Sequence, residues 1–551
     1  MKKTILVLLL LLAFNLFPQS EYVNVGNRIY DFLERMDNLQ LIENYNSFEI
    51  PKTRKEIANY LSQAIDTSDQ LDEADLRMLE DFKVEFEYEL FGTLKNSQSL
   101  IGSGEYDFIS QREKYLYYFT QKSKMTLFVN LITDGEIILN KTSGIDETNS
   151  ASLLNIGGEL RGTVLDRVGF YLMGTNGVAF GDRNTALLQK QLQYNFKFNE
   201  KPDEKFFDET QAYVTADFDL VKLKLGRDRI NLGYGTNKSI MDNSSPLFDY
   251  LSFKIDYNFF NFSYFHGKLL GESETIEDSI SGDYNFVAEK YIVYHRMGFN
   301  ISPHFNFGVG ELVVYGERSF DISYLVPFSF FKSLEHSNQD RDNAMLFFDF
   351  TNYSIPHTKM YFTFLIDDIA FEKIGTGWWG NQTLVNIGVQ SSPFYKSIPL
   401  DLKFEYLRLE PYTYSHRLIK NNFTHFGYNL NSNLQPNSEL FFLGISYRFT
   451  NRLTLAADFS YSNHGANVIY DDGTIKNVGG DINLGHRTFD SETTKFLDGL
   501  LEISRSISTR IFYEPYNQIS FFLNASYFSN SSRESQSLSD TQIFIGTNLK
   551  F

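Results

Sequence analysis

The chain has 551 residues and no cysteine, which excludes a disulfide framework and cysteine-ligated zinc or iron–sulfur sites. Its 50 Lys and Arg against 69 Asp and Glu give a formal charge of −19, and this argues against a nucleic-acid partner, which needs a basic excess. Mean hydropathy is −0.28, and no apolar run beyond the N-terminus reaches the ~18 residues of a membrane-spanning helix.

The first residues have the pattern of a secretory signal. Lys2 and Lys3 precede an apolar run from Ile5 to Phe17, which is too short to span a bilayer. We therefore predict a signal peptide over residues 1–19, cleaved near Gln19 or Ser20, although Phe17-Pro18-Gln19 is a poor small-residue cleavage site.

Residues 20–91 are predicted to form a small periplasmic helical bundle. Thr53 and Glu56 have the spacing of a capping box at the start of one helix. Apolar residues recur at helical spacing in three stripes: Ile29, Phe32, Leu33 and Met36; Ile57, Tyr60, Leu61, Ala64 and Ile65; and Leu76, Leu79, Phe82 and Phe86.

From residue 92 to residue 551 the apolar period changes from helical to two. Val221, Leu223 and Leu225, for example, alternate with Lys222 and Lys224. Charged residues on one strand face would be costly in a soluble core, whereas a wet barrel lumen accepts them. The 53 Phe and 34 Tyr suit the aromatic girdles of such a barrel better than they suit the alternative, a soluble all-β protein. We predict a large transmembrane antiparallel β-barrel, in which ~10 residues per strand plus loops allow about 16 to 20 strands.

The last strand carries the sharpest signal for location. Residues 543–551 place Ile543, Ile545, Leu549 and the terminal Phe551 on one face. A terminal strand ending in an aromatic resembles the signal that the barrel-assembly machinery recognises. It predicts that the protein lies in the outer membrane of a Gram-negative bacterium, in contact with outer-membrane lipid.

Motifs for catalysis are absent from the sequence. Gly375 to Gly380 match G-x-G-x-x-G, but a strand rather than a helix is predicted after them, so a dinucleotide site is not expected. The adjacent Asp367 and Asp368 would point to opposite strand faces. No H-E-x-x-H or G-x-S-x-G occurs, and the histidines are interpreted as hydrogen-bonding residues. We predict no catalytic residues, cofactor or metal.

Several segments, in chain order, resemble the capsule-assembly Wzi-type outer-membrane proteins. They are residues 29–33, 53–57, 226–235, 317–328, 342–343, 367–368, 410–416, 423–427 and 435–438, of which Glu410-Pro411-Tyr412-Thr413-Tyr414-Ser415-His416 is the most specific. The resemblance implies a barrel of about 18 strands with a helical bundle at its periplasmic end. It also implies a lectin that holds or organises surface capsular polysaccharide or exopolysaccharide.

Candidate contacts to the polysaccharide follow from sugar chemistry, because aromatic faces stack on C–H surfaces and polar groups read hydroxyls. For any single candidate, packing in the girdle or lumen is the competing interpretation. The predicted set is Arg227, Arg229, Arg318, Trp378, Trp379, Arg408, Glu410, Tyr412, Tyr414, His416 and His425. The alternative functions are a porin or substrate-specific channel and, with less support, an outer-membrane hydrolase.

Overall fold

The computed structural model describes residues 19–102, 106–121, 124–195, 198, 203–242, 246–280, 282–339, 341–432, 434–532 and 537–551. The predicted signal run at residues 1–18 lies outside these ranges. Within them, no helix is long and apolar enough to cross a membrane.

The described residues form one closed antiparallel barrel of 18 strands, which confirms the predicted fold class and strand number. The strands, here β1 to β18, are Met125–Thr142, Asn149–Val164, Val168–Gly181, Phe206–Asp217, Val221–Asp228, Phe248–Tyr257, Phe260–Ile276, Tyr284–Ser302, Phe305–Gly316, Asn343–Ile355, Thr358–Asp368, Gln382–Ser391, Leu400–Leu409, Ser438–Thr450, Leu453–Ala466, Leu500–Tyr516, Ile519–Ser532 and Leu538–Lys550.

The period-two pattern sets the inner and outer faces of the wall. On β5, Leu225 is 63% exposed on the outside, whereas Lys224 is 2% exposed on the inside. The amine of Lys222, also inside, lies 3.1 Å from Glu56 Oε1 of the N-terminal segment. The buried lysines of this strand are therefore paired with acidic groups in the lumen, which removes the cost of an isolated buried charge.

The last residue closes the barrel. β18 pairs with β1 along its length, and the backbone of Phe551 exchanges hydrogen bonds with Leu131 in both directions, at 2.6 and 3.0 Å. The inward residues of β18 also reach across the seam, since the Lys550 amine lies 2.9 Å from Glu159 Oε1. The predicted terminal strand is thus part of the wall.

The two ends of the barrel differ. Short turns join strands at one end, including those at Asp219 and Asn258, which both have positive φ. At the other end lie the long loops 182–205, 229–247, 317–342, 369–381, 410–437 and 467–499. β15 continues as strand to Ala466, because residues 463–466 still pair with β16.

Four α-helices of the described residues precede the wall: α1 Ile29–Asn38, α2 Arg54–Asp66, α3 Glu73–Glu85 and α4 Glu87–Phe91. The capping box of Thr53 and Glu56 is present at the start of α2. Of the third predicted stripe, Leu76 is exposed and Met78 is buried in its place. The boundary predicted at residue 92 stays a prediction; short strands follow at Ser97–Ser99, Glu113–Tyr115 and Tyr117–Gln121, and the last of these pairs with the start of β1.

The helices lie at the end with the short turns. Asp81 of α3 accepts a hydrogen bond of 2.6 Å from Arg452 in the β14–β15 turn, and Asn44 contacts Asn300 at 2.7 Å. Short turns face the periplasm in bacterial barrels of this type. The position of the helices is therefore the one expected of a periplasmic bundle.

The side of the lumen beside β6 to β13 holds a buried apolar cluster. The short strand Glu49–Ile50 of the N-terminal segment enters the barrel and pairs with Asn231–Leu232 of the loop 229–247, which folds inward. Around this pair, Phe48 stacks on Phe347 of β10 with ring centroids 5.6 Å apart. Inward side chains of β6 to β13 complete one buried cluster with the loops 229–247 and 410–437.

Candidate functional site

The loops 369–381 and 467–499, together with Tyr412 of the loop 410–437, build an aromatic platform at the loop end of the barrel. The indole of Trp379 stacks on the imidazole of His486, with centroids 3.9 Å apart and planes 6° apart. Tyr412 meets both rings edge-on, at 5.8 Å from Trp379 and 5.5 Å from His486. We call Trp379, His486 and Tyr412 the aromatic platform.

Backbone hydrogen bonds hold the platform in place. Thr494 N–H donates to Gly377 O at 2.7 Å, and Trp379 N–H donates to Glu492 O at 3.3 Å, so the loops 369–381 and 467–499 are tied together. Gly377 has φ of +76°, a conformation that glycine adopts without strain. The G-x-G-x-x-G stretch is thus a turn that presents tryptophans, and β12 follows it as predicted.

Trp378 packs against Trp379, with ring centroids 5.7 Å apart and planes tilted by 50°. The Lys373 amine lies 3.9 Å from the centroid of the Trp378 ring, a cation–π contact. The indole N–H of Trp379 instead donates to the Glu492 carboxylate at 3.2 Å. The partly exposed platform therefore combines ring faces with a carboxylate, the pairing of groups that a sugar ring with equatorial hydroxyls requires.

The predicted tyrosines are buried within the loop 410–437. Tyr412 OH donates to Asn477 O at 3.2 Å. Tyr414 OH donates to Ser239 O, and its backbone N–H donates to Asp367 Oδ2 at 2.6 Å. Tyr414 joins this loop to the inward loop 229–247 and to β11, whereas Tyr412 offers a ring edge to the platform.

The two predicted histidines also organise loops. His416 Nδ1 accepts a hydrogen bond of 3.0 Å from Leu418 N–H. His425 Nδ1 accepts from Leu270 N–H at 2.9 Å, which leaves the proton on Nε2, 3.3 Å from Leu247 O. Asp367 is buried and Asp368 is exposed, on opposite faces as predicted.

His425 makes the loop end sensitive to acid. Burial lowers its pKa from 6.5 to about 4, because the charged form of the ring loses the hydration that it has in water. The unfolded chain takes up the proton near pH 6.5 and the folded chain does not, so stability is lost as the pH falls from 6.5 to 4. The expected loss is about 3 kcal/mol. Thermal unfolding against pH should show it, and the variant His425→Gln should lack this component; an unchanged pH profile would contradict the assignment.

The predicted arginines all have acidic partners, and three of them lie outside the lumen. Arg227 shares the outer face of β5 and pairs with Asp249 at 2.7 Å. Arg408 is on the outer face of β13. Arg318 belongs to the loop 317–342, which covers the outside of β7 to β9, and its guanidinium lies over the ring of Tyr315 of β9.

Arg408 and Arg229 each pair with a glutamate. Arg408 Nε donates to Glu410 at 2.7 Å, while the ring of Phe496 covers the guanidinium at 3.7 Å. Arg229 alone of the four faces inward, and Glu209 accepts from it at 2.8 Å. The structure therefore brings Trp379 and Tyr412 together and leaves the arginines apart from them.

Sequence reasoning missed two members of this region, His486 and Glu492. Both lie more than a hundred positions from Trp379, in a loop with no local motif. Among the described residues, no group of three or more His, Asp or Glu is placed to hold a metal ion.

A family model described as "Capsule assembly protein Wzi" matches residues 167–506. This chain belongs to that family. The resemblance seen in the sequence is confirmed, and the matched region runs from β3 into β16, including both loops of the platform. No sequence among the curated proteins matches the chain.

The Wzi fold is shared at low sequence identity. The solved structure of Wzi from Escherichia coli, described as a carbohydrate-binding β-barrel involved in group 1 capsule assembly, superposes with a TM-score of 0.54. It is 12% identical, and the match covers 97% of this chain and 100% of that one. OpdK from Pseudomonas aeruginosa with vanillate gives 0.44 at 7% identity, covering 77% and 99%. A BenF-like porin from Pseudomonas fluorescens gives 0.45 at 9% identity, covering 77% and 99%.

Proposed function

We propose that this member of the Wzi family is a non-enzymatic outer-membrane protein that binds capsular polysaccharide or exopolysaccharide and keeps it at the cell surface. The observation that carries the proposal is the platform of Trp379, His486 and Tyr412, held by hydrogen bonds between two loops at one end of a barrel that is packed on the side of β6 to β13. The carbohydrate-binding description of the Escherichia coli Wzi structure supports it.

The partly filled lumen favours binding over transport. A porin needs an aqueous path, whereas the described residues place an apolar core beside β6 to β13 and helices at the short-turn end. We therefore expect little conductance when the protein is inserted in planar bilayers. Steady ohmic conductance of porin size would favour the alternative, a channel.

Deletion of the gene tests the proposal in cells. We expect the total amount of polysaccharide to stay constant while the cell-attached fraction falls and the shed fraction rises. The two fractions are measured after gentle centrifugation, and complementation with the wild-type gene is the control. Unchanged attachment, with lost uptake of a small solute, would contradict the proposal.

The route to the membrane follows from both ends of the chain. We propose export by the signal peptide at residues 1–19, a periplasmic position for the bundle at residues 20–91, and recognition of the last strand by the barrel-assembly machinery. The outward apolar side chains then contact outer-membrane lipid. This arrangement is supported by the placement of the helices at the short-turn end.

Replacement of the terminal aromatic should lower assembly more than stability. In Phe551→Ala the backbone bonds with Leu131 persist, so the folded barrel should lose only about 1 kcal/mol, while the assembly signal is removed. We expect a several-fold drop in folded protein in outer-membrane fractions, measured by heat-modifiable gel mobility. Leu549→Ala, on the same face, is the control; equal assembly of both variants would contradict recognition of the terminal residue.

A further inference from the structure

The barrel has a hollow half opposite its solid core. A cavity of about 610 Å³ lies between the helices α1 and α3 and the inner face of β14 to β17. Its volume falls within the ~300–1,000 Å³ typical of ligand sites. We call this cavity the luminal chamber; it lies inside the wall, below the loops that carry the aromatic platform.

One wall of the luminal chamber is aromatic. Phe512 of β16 and Phe522 of β17 are direct cross-strand partners, and both line the cavity. Gly546 of β18 makes room for the Phe522 ring, because a Cβ at that glycine would lie 2.2 Å from Cζ of the ring. Two adjacent rings on a flat β wall are the kind of surface on which the apolar face of a sugar stacks.

Polar groups beside the rings lack partners. Asn524, next to Phe522 on the same inner face, makes no side-chain hydrogen bond to any other described residue. Across the cavity, Gln390 Oε1 and Asn231 Oδ1 also lack a described partner, although these residues are only 4% and 7% exposed. Buried polar atoms are almost always satisfied, so these two point to a hydrogen-bonding occupant of the chamber.

The charges of the chamber nearly cancel. Among the described residues that line it, five carboxylates face six cationic side chains. The inner pairs include Arg510 with Asp458 at 2.7 Å and Lys403 with Glu34 at 3.3 Å. A neighbouring cavity of about 520 Å³ is lined by seven carboxylates and three cationic groups among the described residues, so an anion would be repelled there.

Hydroxyl groups line the wall between the loops and the chamber. The even-numbered residues Ser460, Ser506, Ser508 and Ser526 face inward, since Phe459 and Ile507 between them are exposed on the outer face. Ser526 and Ser508 are hydrogen-bonded across the strands at 2.9 Å. This partly exposed wall offers donors and acceptors but no net charge.

We propose that the luminal chamber is a second carbohydrate site, which binds a short uncharged oligosaccharide against Phe512 and Phe522. The proposal rests on the proposed polysaccharide-binding function and adds to it a site inside the barrel. Asn524, Gln390 and Asn231 read the hydroxyls, and the balanced ion pairs together with the acidic neighbouring cavity select against uronic-acid sugars. The occupant is an end of the surface polymer or a fragment of it.

The test uses the full-length protein purified in detergent. Surface polysaccharide of wild-type cells is partly hydrolysed, and short fragments are separated by anion exchange into neutral and acidic fractions. Calorimetric titration should show binding of the neutral fraction, weakened at least about tenfold by Phe522→Ala and by Asn524→Leu, a loss of about 1.4 kcal/mol or more. Phe521→Ala, the adjacent residue on the outer face, is the matched control and should bind as the wild type does.

The outcomes separate this site from the platform. Trp379→Ala should bind the neutral fragments normally while retaining less intact polymer. Intact polymer, added at the same concentration of chain ends, is then tested for competition with the neutral fragments for the chamber. Competition would identify a chain end as the occupant, and absence of competition would identify free fragments. The proposal of a site in the chamber would be overturned if the wild type, Phe522→Ala and Asn524→Leu bound the neutral fraction equally, or if the acidic fraction bound better. Neither result would affect the proposed role of the platform. Failure of the wild type to bind either polymer or fragments would overturn the proposed function itself.

Discussion

The substitution Arg35→Met is expected to detach the N-terminal helices from the barrel. Arg35 is fully buried on α1, and its Nε donates to Asp75 of α3 at 2.8 Å. Its two other nitrogens reach Asp72 at 3.1 Å and the side chains of Asp401 and Ser392 on the wall side. Removing the guanidinium takes a counter-charge from Asp72 and from the buried Asp75, while Asp401 keeps Arg448 at 2.8 Å. The expected cost is about 3 kcal/mol, the lower end of the range usual for a broken buried ion pair.

Two measurements would check this result. Thermal unfolding in detergent should show an early transition for the helices, and trypsin should remove the segment 19–91 faster than in the wild type. Arg77→Met is the matched control, because Arg77 of α3 pairs only with the exposed Glu73 and should change stability by less than about 1 kcal/mol. Equal protease resistance of the two variants would show that the network does not anchor the bundle.

The wall of this barrel follows from local pattern. Strand faces depend only on whether a position is odd or even, so Leu223 and Leu225 against Lys222 and Lys224 suffice to orient β5. The same rule places Arg227 on the outer face with the leucines. When the rule is applied to each candidate, it predicts from the sequence alone that Arg227 and Arg408 do not belong to a luminal site.

The platform could not be derived in that way. Trp379 and His486 are joined by contacts between two loops, and loop conformation depends on long-range packing rather than on a repeat. The burial of Tyr414 has the same origin, because its partner Ser239 lies in a loop that folds into the lumen. The family resemblance identified the segment that contains Tyr412 and Tyr414. It could not show that Tyr412 contributes a ring edge to the platform whereas Tyr414 is packed in the core.

The luminal chamber could be predicted from the sequence only in part. The inward positions of Phe512, Phe522 and Asn524 are readable from alternation, yet their meaning depends on where the N-terminal helices stop. Because the strand Glu49–Ile50 and the inward loops pack on the side of β6 to β13, while α1 and α3 lie at one end of the space beside β14 to β17, that side keeps a cavity. An insertion from one end of a barrel thus converts a channel wall into a closed site, and no periodicity in the wall itself records that change.

The substitution Trp379→Ala should have the largest effect on polysaccharide retention. It removes the ring that His486 and Tyr412 support and also the indole N–H that Glu492 accepts at 3.2 Å. Central aromatic residues in binding sites contribute 2 kcal/mol or more, so we expect affinity for intact polymer to fall at least about 30-fold. Binding of purified protein to immobilised polysaccharide, and the attached fraction on cells carrying the variant, would measure the loss.

Two further variants separate stacking from mere exposure of aromatic surface. Trp379→Phe keeps a ring against His486 and loses only the bond to Glu492, so its affinity should fall several-fold less than that of Trp379→Ala. Phe371→Ala removes an aromatic residue of the same loop that is 75% exposed, and it should bind as the wild type does. If Phe371→Ala and Trp379→Ala weaken retention equally, the loop contributes only general apolar contact, and the proposed stacking of a sugar on the platform is wrong. If only Trp379 variants weaken it, a sugar face rests on a ring that two distant loops fix in place.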